Sequence, residues 1–269
     1  MITQSDINLV LSGGSNNTLA SSSLGGEPSN TLVGNSINNL FGDISSLELA
    51  AGKTDYRCFY VFNDSETDIF YNCKIYINSQ APGGATVQLG LKRANDIQVI
   101  HVESTDPIST GTMNFSIEGN LISLNYSLNL GDMSQELEDA INSYGYGATV
   151  SPSSISEYDF SFAITFSGYK YFDLFTLVSQ DLVTAGSVDI SISKNTIGSP
   201  VNTFAEQIDN EKVAPNGVVF QATVGYNNAI EVADLRPGEG FPVWVKRTIL
   251  PNAQGLQNDN FVFILMGSP

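Results

Sequence analysis

The chain has 269 residues and a formal charge of −17, from 28 acidic against 11 basic side chains, yet only 14% of its residues are charged. That length can bury a real core in one large domain or two small ones, and a composition rich in aromatic and β-branched residues, with 24 glycines, excludes a disordered chain and points to turn-rich β structure. The acidity argues against nucleic acid and anionic membrane surfaces as direct partners, because both require basic clusters.

No apolar run reaches the length of a membrane span, and Met1-Ile-Thr-Gln-Ser-Asp6 has neither the basic nor the apolar region of a secretory signal, so the chain is expected to be made and used without export. Residues 1–52 begin with a short strand, Ile7-Asn-Leu-Val-Leu11, followed by Ser, Gly and Asn in a loop or extended arm. Two strand-like runs follow, Tyr56–Phe62 and Tyr71–Ile77, separated by the turn-forming Asn63–Asp68. They carry the only cysteines, Cys58 and Cys73, which a hairpin would bring close. Buried free thiols, small hydrophobes in a reducing cytosol, are the expected state, with a disulfide as the alternative, and the spacing is not that of a zinc site. Ala85–Leu91 alternates Val87, Leu89 and Leu91 on one side as a further strand.

The middle of the chain is distinct. Residues 97–207 hold 13 acidic and 2 basic side chains, net −11, against −4 for 1–96 and −2 for 208–269. Within this block Met133, Leu137, Ala140, Ile141 and Tyr144 fall on one stripe of a 3.6-residue period, predicting a helix over 132–144 capped by Asp132 and ended by Gly145. Strands are expected at Ile97–Val102, Thr112–Ile117, Ile122–Tyr126, Thr149–Val150, Tyr158–Phe166 and Val188–Ile192. Phe160, Phe162, Ile164 and Phe166 alternate with smaller residues and offer a bed for the helix stripe. After Gly217 the strand-and-turn character resumes at Val218–Ala222, Ala229–Val232, Phe241–Ile249 and Asn260–Met266.

The expected fold is therefore mainly β: a β-sandwich, jelly-roll or immunoglobulin-like, built from 53–96 and 208–269, preceded by a 1–52 arm and loop region and interrupted by a small acidic α+β domain with one helix at 97–207. An insertion at a loop tip is tolerated because closure entropy grows slowly with loop length.

Gly111-Thr-Met-Asn-Phe-Ser-Ile-Glu-Gly119, the helix with Met133, Leu137, Ala140 and Ile141, and Phe160-Ser-Phe-Ala-Ile-Thr-Phe-Ser-Gly168 together resemble a module that recurs in structural proteins of tailed bacteriophages. The flanking phrases Leu11-Ser-Gly-Gly14, Leu24-Gly-Gly26, Asn39-Leu-Phe41, Tyr56-Arg-Cys-Phe-Tyr-Val61, Leu235-Arg-Pro-Gly-Glu-Gly240 and Val243-Trp-Val-Lys-Arg-Thr248 are similar to phrases in virion proteins of that kind. The resemblance implies an architectural component of the particle, in the tail, the neck or on the capsid surface. Such a component would be assembled in the host cytoplasm as a homo-oligomer in contact with other virion structural proteins. The acidic helix face Glu136, Glu138, Asp139 and the run Tyr169–Phe172 depart from the pattern.

Catalytic signatures are sparse. His101 is the only histidine, with Glu103 on the same side of its strand, and no P-loop, dinucleotide fingerprint or nucleophile elbow is present. Asp132 with Glu136, and the Asn63–Asp68 turn, lack the spacing of dedicated carboxylate or calcium sites. The expectation is a protein without enzymatic activity, cofactor or metal. Its candidate assembly contacts are Arg93, Lys246 and Arg247, which could meet the acidic block of an adjacent copy. The alternative is a receptor- or glycan-binding module using Tyr144, Tyr146, Tyr169 and Tyr171 as stacking surfaces. Trp244 reads as a buried strand residue.

Overall fold

A computed structural model describes residues 3–34, 39–81, 84–255 and 260–268. Met1 and Ile2, read above for a secretory signal, and Asn35–Asn38 of the 1–52 segment lie outside the described residues. The chain divides into two compact units, 1–93 with 200–269, and 94–199.

Unit 1 starts with β1 (Ile7–Ser12), β2 (Pro28–Leu32), α1 (Ser46–Ala51), β3 (Lys53–Asn63), β4 (Tyr71–Gln80) and β5 (Thr86–Leu91). Unit 2 contains β6 (Asp96–Ser104), β7 (Thr112–Ile117), β8 (Asn120–Asn125), α2 (Leu130–Asn142), β9 (Ala148–Ser156), β10 (Asp159–Phe166), β11 (Thr176–Gln180) and β12 (Val188–Thr196). The chain then returns to unit 1 for β13 (Val219–Gln221), β14 (Ile230–Glu231), β15 (Gly240–Ile249) and β16 (Phe261–Ser268).

Unit 1 is a sandwich of a six-stranded sheet, ordered β13-β5-β15-β3-β1-β2, and a three-stranded sheet, β14-β4-β16. Phe59, Val61, Leu89, Val243 and Val245 of the large sheet share one core with Cys73, Ile75 and Ile77 of the small one. The opposite face of the large sheet is also covered: Tyr56, Cys58, Tyr60 and Trp244 cluster with Ala205 and Ile208 from the returning loop. Strand β3 is therefore buried on both faces, which is why Cys58–Val61 reads as an uninterrupted apolar run instead of an alternating one.

Two expectations for this unit fail. The 1–52 segment is no arm, since β1 pairs with both β2 and β3 inside the large sheet and α1 is a helix with a capping box of Ser45 and Glu48. The cysteine-bearing runs do not form a hairpin: the turn after Asn63 carries the chain from one sheet to the other, so Cys58 and Cys73 sit in separate clusters as free buried thiols. Burial raises both thiols, Cys73 to about 12, which leaves them protonated and inert. Pro242 is tolerated in β15 because the ladder with β5 begins only at Trp244, so one edge of the strand is unpaired there.

Unit 2 packs a four-stranded sheet, β12-β6-β10-β9, and a three-stranded sheet, β11-β7-β8, around a core shared with α2. Met133, Leu137 and Ile141 are fully buried and lie in the same cluster as Phe160, Phe162, Ile164 and Phe166. The helix starts earlier than expected: Asn129 caps it by accepting from the Gly131 N–H at 3.0 Å, because Leu130 already packs on the core, and Asp132 becomes a first-turn acid. Backbone hydrogen bonds in both directions between Ala94 and Ser199, at 3.1 and 2.9 Å, hold the two ends of the unit together. The junctions thus fall before both shifts in charge composition, at 93/94 and 199/200.

Candidate functional site

Of the three basic residues expected at an assembly contact, Arg247 is internal. Along β15 neighbouring side chains alternate between faces, so Trp244 and Lys246 lie on one side and Arg247 on the other. The Arg247 guanidinium reaches Asp55 through Nε at 3.0 Å and Nη2 at 2.7 Å, donates to the Gly42 carbonyl at 2.9 Å, and lies 4.5 Å from the Phe41 ring centroid. Its surface role is overturned by this burial. Lys246 is half-buried, and Arg93 is exposed within electrostatic reach of Glu231, so the three do not form one patch.

The Arg247–Asp55 pair belongs to a wider network of charges in unit 1. The Lys53 ammonium contacts Glu48 at 2.9 Å, Asp55 at 3.0 Å and Glu211 at 2.8 Å, while Arg57 pairs with Glu211 and stands 5.6 Å from the Phe41 ring centroid. The Arg57 Nε is buried without a hydrogen-bond partner. Chemically this is a clamp: it ties the loop at 41–48 and the returning segment at Glu211 to the ends of β3 and β15.

The Lys53 hydrogen bond, followed by those from Ser45, lowers the Glu48 carboxyl to about 2. Burial alone would raise Glu211, but hydrogen bonds from Lys53 and Arg57 outweigh it and the net shift is downward. For a depressed carboxylate the stabilisation is complete above the unfolded value and is lost as pH falls through the folded one. Glu48→Gln should therefore flatten the pH dependence of the unfolding midpoint between pH ~4.5 and ~2, and leave its slope near neutrality unchanged in a thermal scan series.

A second charged feature emerges only from strand register. Asp159 faces Glu103 across the β10–β6 ladder, and Glu103 faces Asp189 across β6–β12, so three carboxylates stand in a row on the solvent face of the sheet. His101, two residues along β6, bonds Asp159 through Nε2 at 2.8 Å. Cross-strand neighbours have Cβ atoms about 4.5–5.5 Å apart, and like charges at that spacing are destabilising. Glu103→Thr is expected to stabilise unit 2 by about 0.5–1 kcal/mol in urea unfolding, a gain that an unstrained surface position would not give.

The other sequence candidates resolve into structural roles. Glu136 accepts from the Asn125 side chain at 2.7 Å and braces α2 against β8. The Asn63 amide closes its turn by donating to the carbonyls of Asp68 and Leu235 at 2.8 and 2.9 Å. Among the described residues no group of three or more His, Cys, Asp or Glu is placed to hold a metal ion, and no helix is long and apolar enough to cross a membrane. Tyr146 is a core residue, packed edge-on against Phe172 at 5.5 Å. Tyr171 lies under the Lys194 ammonium at 3.9 Å, and Tyr144 and Tyr169 are exposed.

A small cavity of about 140 Å³ opens on the outer face of the large sheet of unit 1. Trp244, Pro242 and Ala205 line its apolar part, with Lys92, Glu206 and Asn216 exposed around it. The loop at Gly25 passes so close behind that an added Cβ would lie 2.1 Å from the Glu206 carbonyl and 3.0 Å from the Trp244 ring. Gly25 also has a φ of +89°, so it is constrained twice over.

No protein-family model matches the chain, and no curated protein matches it. Among solved structures, the D2–D3 domains of the flagellar cap protein FliD from Serratia marcescens are 13% identical with a TM-score of 0.26, covering 72% of this chain and 100% of theirs. The corresponding Escherichia coli domains are 9% identical with a TM-score of 0.27, covering 81% and 100%. FliD from Bdellovibrio bacteriovorus is 10% identical with a TM-score of 0.22, covering 58% and 98%. Likeness at this level assigns neither fold nor function to the chain.

Proposed function

We propose that the protein is a non-enzymatic structural component of a tailed-bacteriophage particle, in the tail, neck or capsid surface, acting through protein–protein contacts in an oligomeric assembly. The disposition of its surface carries this reading. Lys53, Arg57, Lys74, Lys194 and Arg247 are engaged in ion pairs within their own units, so much of the scarce positive charge is neutralised internally. Large apolar side chains such as Leu128, Ile155, Phe204 and Val219 stand in solvent on this acidic exterior. Apolar anchors surrounded by polar surface are what association uses, and the acidity selects against nucleic acid and like-charged surfaces. The phage phrases spread over both units add the particle.

Particles purified from a lysate of the host that encodes the chain should contain it at a fixed copy number by quantitative mass spectrometry. A particle preparation that lacks the protein would remove the virion assignment.

A further inference from the structure

The turn Glu157-Tyr158 joins β9 to β10, and the ladder beside it is irregular: Asp159 pairs with Ser156, whereas Phe160 pairs with Ser154. Ile155 is the extra residue of that bulge. Bulges re-aim side chains out of the regular alternation. Here the result is an isoleucine 85% exposed at a hairpin tip on an edge strand, the highest exposure among the large apolar side chains described. Its own unit gains nothing from an isoleucine in water.

The Trp244 cavity of unit 1 is complementary in size and in charge. An enclosed apolar cavity of about 150 Å³ accepts a benzene molecule; this one is open on one side and of mixed lining, and its volume of about 140 Å³ is of the size of a single branched aliphatic side chain. Glu157 is exposed two residues beyond Ile155, and Lys92 is exposed at the cavity rim. Glu206 on the same rim would repel Glu157, which limits the registers in which tip and cavity can meet.

We infer that Ile155 of one copy seats in the Trp244 cavity of a second copy, with Glu157 of the first paired to Lys92 of the second. Tip and cavity are different surfaces and each copy offers one of each, so the contact is made reciprocally in a two-fold dimer or head to tail in a ring or filament. The inference deepens the assembly reading and rests on it only in requiring that copies associate. It can fail while the protein is still found in particles.

The test uses the purified full chain in sedimentation velocity across a concentration series. The wild type is expected to form dimers or larger oligomers. Ile155→Asp, at an exposed position that does not threaten folding, should weaken association by about thirtyfold, the loss of one hot spot. Asn216→Phe, which fills the cavity mouth, should do the same. Each variant keeps one intact half of the contact, so an equimolar mixture of the two should form heterodimers and stop there. Lys92→Glu should weaken association, and adding Glu157→Lys should restore it. Emission from Trp244, the only tryptophan, should change on association of the wild type and stay constant in Ile155→Asp. A wild type that is monomeric throughout, an Ile155→Asp variant that associates like the wild type, or a mixture that does not form heterodimers would each overturn the contact.

Discussion

Asp55→Ala should cost unit 1 about 3–5 kcal/mol in denaturant unfolding, which makes it among the most damaging single changes available in that unit. The Asp55 carboxylate is completely buried and is the common acceptor for Arg247 Nε, Arg247 Nη2 and Lys53 Nζ. Without it the Arg247 guanidinium remains inside with the Gly42 carbonyl and the Phe41 ring as its contacts, and its desolvation is left uncompensated. The double variant Asp55→Leu/Arg247→Met removes both charges and should lose less than Asp55→Ala alone, because the cost lies in the stranded partner more than in the missing pair. By contrast Lys74→Ala, which breaks an ion pair with a mostly exposed Glu231, should change stability by about 1 kcal/mol or less. An Asp55→Ala loss no larger than that of Lys74→Ala would show that the Arg247 network is solvated in solution.

The same network shows what can be read from a sequence and what cannot. Lys246-Arg247 looks like one basic patch in a linear chain, but a two-residue period sends the neighbours to opposite faces, and only the position of β15 inside the sheet tells which face is closed. The α2 stripe and the Phe160–Phe166 alternation were legible because each element buries one face and wets the other, so its periodicity survives in the residue types. α1 went unread in spite of its Ser45 and Glu48 capping box, because a helix of six residues leaves too few apolar positions to declare a period. β9 was visible only at Thr149–Val150, since Pro152 and four serines conceal an edge strand whose outward N–H groups need no partner. The sheet change between Cys58 and Cys73, the Asp159–Glu103–Asp189 row and the Ile155 bulge are products of long-range register, which no local pattern encodes.

Leu137→Asp should unfold unit 2 and leave unit 1 folded. Leu137 has no exposed surface and sits in the cluster that joins both sheets of unit 2 to α2, so a carboxylate there would be buried without a partner or would expel the helix. Among the described residues the core clusters of the two units share no member, and each sheet is built from strands of one unit. What unit 1 loses is the pinning of the insert's two ends by the Ala94–Ser199 hydrogen bonds. An unfolded insert of roughly a hundred residues then behaves as a long loop, costing about 2 kcal/mol more to close than a loop of roughly ten, because each doubling of length adds about 0.6 kcal/mol. Hydrogen exchange should therefore show complete loss of protection at Phe115, Leu124 and Phe162, while Phe59, Val61, Val243 and Val245 lose protection only by an amount equivalent to that closure term. Equal loss at both sets of amides would mean that one cooperative transition holds the whole chain, and that β5 and β13 depend on the folded insert to find each other across the large sheet.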